Sequence, residues 1–169
     1  IMGALTRRAI AGMEAGLVTL VDGLLDALAD RGGGDLIEDF ASAIPVEIIG
    51  NLLDVPHADR GPLRAWSLAI LGALEPRLTA GQEALGNRSV MEFTDYLRDL
   101  VAERRRRPGD PEHDVLTRLI QGEAGGEALS EVELLQNCVF ILNAGHETTT
   151  NLIGNALVAL QEWPAARAW

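Results

Sequence analysis

Apolar residues recur at spacings of three and four along most of the chain, the periodicity of helices that bury one face. Leu5, Ile10, Met13, Leu17, Leu20, Val21, Leu24 and Leu28 form the first such stripe, and Arg31-Gly32-Gly33-Gly34 ends it with residues that cannot stay helical cheaply. Asp35-Leu36-Ile37 reads as a short extended piece. A second helix follows from Phe40 through Ile44, Ile48, Ile49, Leu52 and Leu53, with Pro45 in its first turn or at a kink, and Val55-Pro56-His57 closes it. Gly61-Pro62 opens a third helix through Leu63, Trp66, Leu68, Ile70, Leu71 and Leu74, broken near Glu75-Pro76. A fourth runs from about Gly81 to Arg107 on the stripe Val90, Phe93, Leu97, Leu100 and Val101. Arg104 to Arg107 stand just before Pro108-Gly109, where cations suit a solvated helix end. Asp114 to Ile120 predicts a short helix, and Gln121 to Leu129 a glycine-rich loop.

The last and longest pattern runs from Ser130 to Pro164. Ser130 with Glu133 three residues on is a capping box. Leu134, Leu135, Val139, Phe140, Ile141, Leu142, Leu152, Ile153, Ala156, Leu157 and Leu160 leave no polar-only face, so the helix is expected at the centre of its protein. Ala144-Gly145-His146-Glu147-Thr148-Thr149 interrupts this composition. Polar groups in a buried helix are costly without partners, and two arrangements meet that demand. One is a local bend whose threonine hydroxyls bond back to the preceding turn. The other is a groove where a ligand lies on bare backbone at Ala144 and Gly145, with Phe140 as a flat wall, Asn143 beside it, and the acid Glu147 and alcohol Thr148 handling protons. Phe140, Asn143 and Ala144 are reached from Thr148 by helical steps.

Composition narrows the setting. At 169 residues, 47% hydrophobic and only 4% aromatic, the chain suits a single all-α region, residues 1–169, of several amphipathic helices around one long one. A net charge of −11 argues against nucleic acid as a partner. No run approaches the roughly 20 apolar residues of a membrane span, and no secretory leader is visible, so a cytoplasmic protein is expected. Cys138 is the sole cysteine, which leaves no internal disulfide, and its place in an apolar helix reads as a small hydrophobe. His146-Glu147 lacks the second histidine of a zinc-protease helix, since Thr150 and Asn151 stand there, so no metal site is expected. His57 and His113 sit in polar loops.

The sequence Ala144-Gly145-His146-Glu147-Thr148-Thr149, preceded by Leu134-Leu135-Gln136-Asn137-Cys138-Val139-Phe140-Ile141-Leu142, resembles the oxygen-activation motif in the long I helix of the cytochrome P-450 superfamily. That motif reads Ala or Gly, Gly, any residue, Asp or Glu, Thr, and Thr or Ser; every position is met. The resemblance implies that Ala144, Gly145 and Thr148 border a heme, that Thr148 steadies bound dioxygen, and that Glu147 feeds protons toward it. It also implies a small apolar substrate near Phe140, Asn143 and Ala144, and an electron-donating redox protein as partner. The earlier helices resemble the family's D to G helices, the last two of which roof the substrate pocket.

Family members are longer, and their thiolate cysteine lies in a glycine-containing loop downstream of the I helix. The chain thus resembles an incomplete, central portion of the fold, and heme is expected in the parent enzyme but not stably in this chain alone. An alternative from a different class is a non-catalytic helical binding or oligomerisation module. Without downstream partners, Leu135, Leu142, Ile153, Leu157 and Leu160 are expected to face water, and a homo-oligomer to cover them.

Overall fold

A computed structural model describes residues 10–110, 115–122 and 129–168. Among them all regular structure is helical. The main elements are α1 (Glu14–Asp30), α2 (Ala43–Leu52), α3 (Leu63–Gly72), α4 (Ala80–Arg106), α5 (Val115–Gln121) and α6 (Glu131–Glu162). A π turn spans Ile37–Ala41, and 3-10 turns span His57–Asp59 and Pro164–Ala168. α6 packs against α2, α3, α4 and the π turn, so the longest helix is the one the others share.

Helix boundaries follow local chemistry. α1 stops where Gly32 (φ 73°) and Gly33 (φ 135°) enter the left-handed region that side chains avoid. Leu28 is buried and Leu17, Leu20, Val21 and Leu24 are half-buried, so this part of the expected stripe is the inward face, whereas Ile10 is exposed; Leu5 lies outside the described residues. Pro45 falls in the first turn of α2, where a missing N–H costs least. α4 starts at a second capping box, in which Thr79 Oγ1 accepts from Gln82 N–H at 3.2 Å and Gln82 Oε1 accepts from Thr79 N–H at 2.9 Å. The short helix expected from Asp114 is α5, with Asp114 outside the described residues.

Four expectations are corrected. Asp35 to Ile37 is not extended. The Asp35 carboxylate accepts the N–H groups of Ile37 (2.8 Å) and Glu38 (3.1 Å), which starts a turn whose bonds step five residues, Ala41 N–H to the Leu36 carbonyl and Ser42 N–H to that of Ile37. These bonds hold the Asp35 carboxyl below the usual carboxylate range. Phe40 accordingly belongs to the π turn and not to α2. Second, Val90 is exposed, and Gly86 and Ser89 take its place on the buried face of α4. Third, one member of the arginine run is not a solvated end: Arg104 is half-buried and pairs with Asp54, while Arg105, Arg106 and Arg107 are exposed as expected and pair at the surface with Glu131 (3.1 Å) and Glu103 (2.8 and 3.3 Å). Fourth, Leu135 and Leu142 are buried at 4% and 0% exposure rather than facing water, because they belong to the core cluster that the described helices already complete around them. Ile153 and Leu157 are half-buried, and Leu160 is exposed.

The core is built from Leu53, Leu63, Phe93, Leu97, Leu116, Leu134 and Leu142 with their neighbours. Trp66 stacks on Phe93 with ring centres 5.1 Å apart. Leu71 is half-buried and Leu68 exposed, and Leu74, expected in the same helix, lies beyond its end at Gly72 and is exposed. α3 and α4 come close because position 86 has no side chain: a Cβ there would collide with Ala73 Cβ and stand 3.0 Å from the Ala69 carbonyl oxygen. Gly86→Ala should therefore reverse the usual rule. The gain of about 1 kcal/mol in helix propensity is outweighed by an overpacking cost of roughly 1–3 kcal/mol, so urea unfolding should show a lower midpoint than for the parent chain.

Candidate functional site

The capping box at Ser130 fixes where α6 begins: Ser130 Oγ accepts Glu133 N–H at 3.3 Å while Glu133 Oε2 accepts Ser130 N–H at 2.9 Å. From there the helix runs unbroken for 32 residues, roughly 48 Å, with no change of helix type at Gly145. Its two sides differ. Leu134, Leu135, Cys138, Ile141, Leu142, His146, Thr150 and Gly154 are buried. Phe140 (60% exposed) and Leu152 (70% exposed) stand out, and between them, four residues apart, lie the exposed Ala144 and Thr148. The result is an open stripe of two large apolar side chains with a small residue and a hydroxyl between them.

Of the polar residues of the motif, His146 and Thr148 have hydrogen-bond partners within the chain, as the bend arrangement required of the threonine hydroxyl, yet the helix keeps α geometry. Thr148 Oγ1 donates to the Ala144 carbonyl at 2.7 Å, and Thr150 Oγ1 donates to that of His146 at 2.9 Å. Glu147 is half-buried. Asn143 is half-buried on the flank of the stripe, and its buried Oδ1 has no hydrogen-bond partner. Gly145 lets α2 approach: a Cβ there would be 3.1 Å from Ile49 Cδ1. Beside this approach an apolar groove of about 410 Å³ opens between α1, α2 and α6, lined by Leu17, Ile44, Ile48, Phe140, Ala144, Gly145 and Thr149, among others. The groove brings Phe140, Ala144 and Gly145 together. Thr148 is exposed next in sequence to it, and Asn143 and Glu147 are not among its walls.

Cys138 is fully buried, and burial pushes its thiol up to about 12, in keeping with a side chain packed as a small hydrophobe on the core side of α6. No group of three or more metal-ligating side chains occurs among the described residues, and no described helix is long and apolar enough to cross a membrane.

Sequence reasoning missed the role of His146. It weighed the residue only as half of a zinc motif, whereas the ring is 1% exposed and sits between two serines: Ser42 Oγ is 3.3 Å from Nε2 and Ser67 Oγ is 3.1 Å from Nδ1. Arg64 Nε donates to the same Ser42 Oγ at 2.6 Å, and Arg64 is paired with Glu38. A signal was available, because position 146 continues the buried 135, 138 and 142 spacing and so falls on the core side of α6.

Comparisons with known proteins identify the family and the fold. The sequence pattern of the cytochrome P-450 family matches residues 76–168. Cytochrome P-450 107B1 of Saccharopolyspora erythraea is 37% identical over 160 residues, covering 95% of this chain and 37% of the relative. The cyclomarin C epoxidase CymV of Salinispora arenicola is 36% identical over 166 residues, covering 96% and 41%. The crystal structure of P450BioI in complex with an acyl carrier protein ligated to hexadec-9Z-enoic acid superposes with a TM-score of 0.88 at 28% identity, covering 98% of this chain and 42% of that one. The chain thus spans about two fifths of the length of these relatives.

Proposed function

The chain belongs to the cytochrome P-450 family, and from that premise we propose that it supplies the oxygen-facing wall of a heme-dependent monooxygenase that hydroxylates an apolar small molecule. One observation carries the reading: the Phe140, Ala144, Thr148 and Leu152 stripe is open and largely apolar on a helix whose opposite side is buried. A flat macrocycle fits such a stripe, because Ala144 keeps a large side chain out of its way while Phe140 and Leu152 offer apolar surface. Ala144, Gly145 and Thr148 would hold it from this side. Heme, when bound, supplies the activation of dioxygen, with electrons delivered by a redox protein. Cys138, buried on the core side of α6 with Leu134 and Leu142, lies away from this open stripe and would not reach a group held there.

The residues of α6 do the rest. The Thr148 hydroxyl spends its hydrogen on the Ala144 carbonyl, so Oγ1 faces the stripe as an acceptor that can hold a protonated group in place. Glu147, next in the chain and half-buried, is the carboxylate that passes a proton toward it. Phe140 and Ala144 bound the space left for substrate, with Asn143 half-buried at its flank. Where this chain stands without the remainder, the same apolar face is what would draw copies together.

The test is steric. In the complete enzyme Ala144→Leu should fill the space over the wall and cut turnover of the native substrate by at least about tenfold, since small misplacements of a substrate carry large costs. Ala159→Leu, about four turns along the same helix, should leave turnover near the parent value. Retained turnover in Ala144→Leu would remove Ala144 from the substrate wall.

A further inference from the structure

The imidazole of His146 is bound on both ring nitrogens inside the protein, and its place on α6 gives those bonds a consequence. At 3.6 residues per turn, positions two before and two after a residue lie about 160–200° around the helix from it. Ala144 and Thr148 are those positions. His146 therefore stands directly behind the stripe that faces outward, on the side where α6 meets α3 through Ser67 and the end of the π turn through Ser42. The π turn itself is seated on the same helix farther along, where a Cβ on Gly154 would be 2.7 Å from Ile37 Cδ1.

The bonding also selects one tautomer. Ser42 Oγ already accepts from the cationic Arg64 guanidinium at 2.6 Å. That bond makes the hydroxyl a stronger donor and a poorer second acceptor, so Ser42 O–H is directed at Nε2. Nδ1 then carries the proton and donates to Ser67 Oγ. The charged group facing the ring is Arg64 on α3, tied to Glu38 of the π turn; the other partners are neutral serines.

We infer that His146 is a positioning residue, a neutral Nδ1–H imidazole that locks the rotation of α6 and so sets the direction in which Glu147 and Thr148 face the reaction. The inference rests on the function proposed above for those two residues. Burial, and next the Arg64 cation, hold the His146 pKa below the ordinary imidazole value, in keeping with a ring that has no room for a second proton. A group of this kind opposes folding when protonated: its contribution is intact above the ordinary value and is lost as pH falls below it toward the lowered one.

Two measurements on the complete enzyme test the inference. Ring nitrogen NMR in a diamagnetic ferrous form should show His146 as the Nδ1–H tautomer, still neutral at pH values where an exposed histidine is half protonated. An Nε2–H tautomer, or titration at the ordinary value, would overturn the clamp. The second measurement is coupling, product formed per electron consumed, in heme-loaded enzyme. His146→Phe keeps a ring but removes both bonds, and should lower coupling by about tenfold, the scale on which small displacements of reacting groups act. His146→Asn, whose amide can replace the Nδ1–H donor to Ser67, should recover part of the loss. A residue that only filled space would lose stability in these variants and keep its coupling. If Thr148→Ala lowers coupling and His146→Phe does not, the positioning role is overturned and the proposed function stands. If Thr148→Ala itself is silent, the proposed function falls and takes the catalytic consequence of the clamp with it.

Discussion

Thr148→Ala in the complete enzyme is expected to separate electron consumption from product formation. The variant keeps the helix, because its hydroxyl bonds only to the Ala144 carbonyl one turn back and its side chain is exposed. What it removes is the one hydroxyl on the open stripe between Ala144 and Leu152. Placed proton donors and acceptors contribute roughly 10²–10⁴ in rate, so product formation should fall on that scale while electrons continue to be consumed and hydrogen peroxide rises. Oxygen, peroxide and product measured together read the effect. Coupling equal to that of the parent would take Thr148 out of the chemistry. Glu147→Gln is the informative companion: it should slow the reaction while preserving the hydroxyl that Thr148 supplies.

The largest effect on stability is expected at Phe93. Its ring is fully buried, stacks on Trp66 at 5.1 Å and belongs to the cluster that includes Leu63, Leu97, Leu116 and Leu134. Phe93→Ala should cost about 3–5 kcal/mol, from lost transfer free energy and the cavity left between α3, α4 and α6. Against a typical total of roughly 5–15 kcal/mol, that removes a large part of the margin that keeps the chain folded. Urea unfolding followed by circular dichroism reads it. A loss below about 1 kcal/mol would mean that the neighbours collapse into the space, contrary to a core this closely filled.

Much of this fold could be read from the residues because its signals are local. The Ser130–Glu133 capping box, the glycine run after Arg31 and the opening at Gly61-Pro62 each act within a few residues, and each marks an element boundary. The Thr79–Gln82 box was equally legible and went uncredited. Other features depend on partners far along the chain. His146 meets Ser67 and Ser42 across separations of 79 and 104 residues, and nothing in the spacing of a lone histidine announces them. Gly86 reads as a weak helix residue until Ala73 is found against it. The π turn was missed for a different reason: Asp35 starts it with its own carboxylate, in a stretch whose apolar Leu36 and Ile37 resemble a strand. The burial of Leu135 and Leu142 escaped because a helix apolar on nearly all sides has no strong phase, so the pattern cannot say which side faces the core. In the site, the same ambiguity did not affect the spacing of Phe140, Ala144 and Thr148, which periodicity alone assigns to neighbouring positions on one face.

The division of α6 into a buried side and an open one also bears on how such a chain can vary over time. Phe140 and Leu152 are mostly exposed, and Ala144 and Thr148 lie exposed between them, so these positions contribute little to keeping this chain folded. Leu134, Leu142 and His146, on the other side, carry the packing. Mutational drift can therefore change Phe140, Ala144 and Leu152 without first crossing a valley of misfolded sequences. A helix arranged this way is a scaffold on which descendants can diverge in what they accept while inheriting the same architecture.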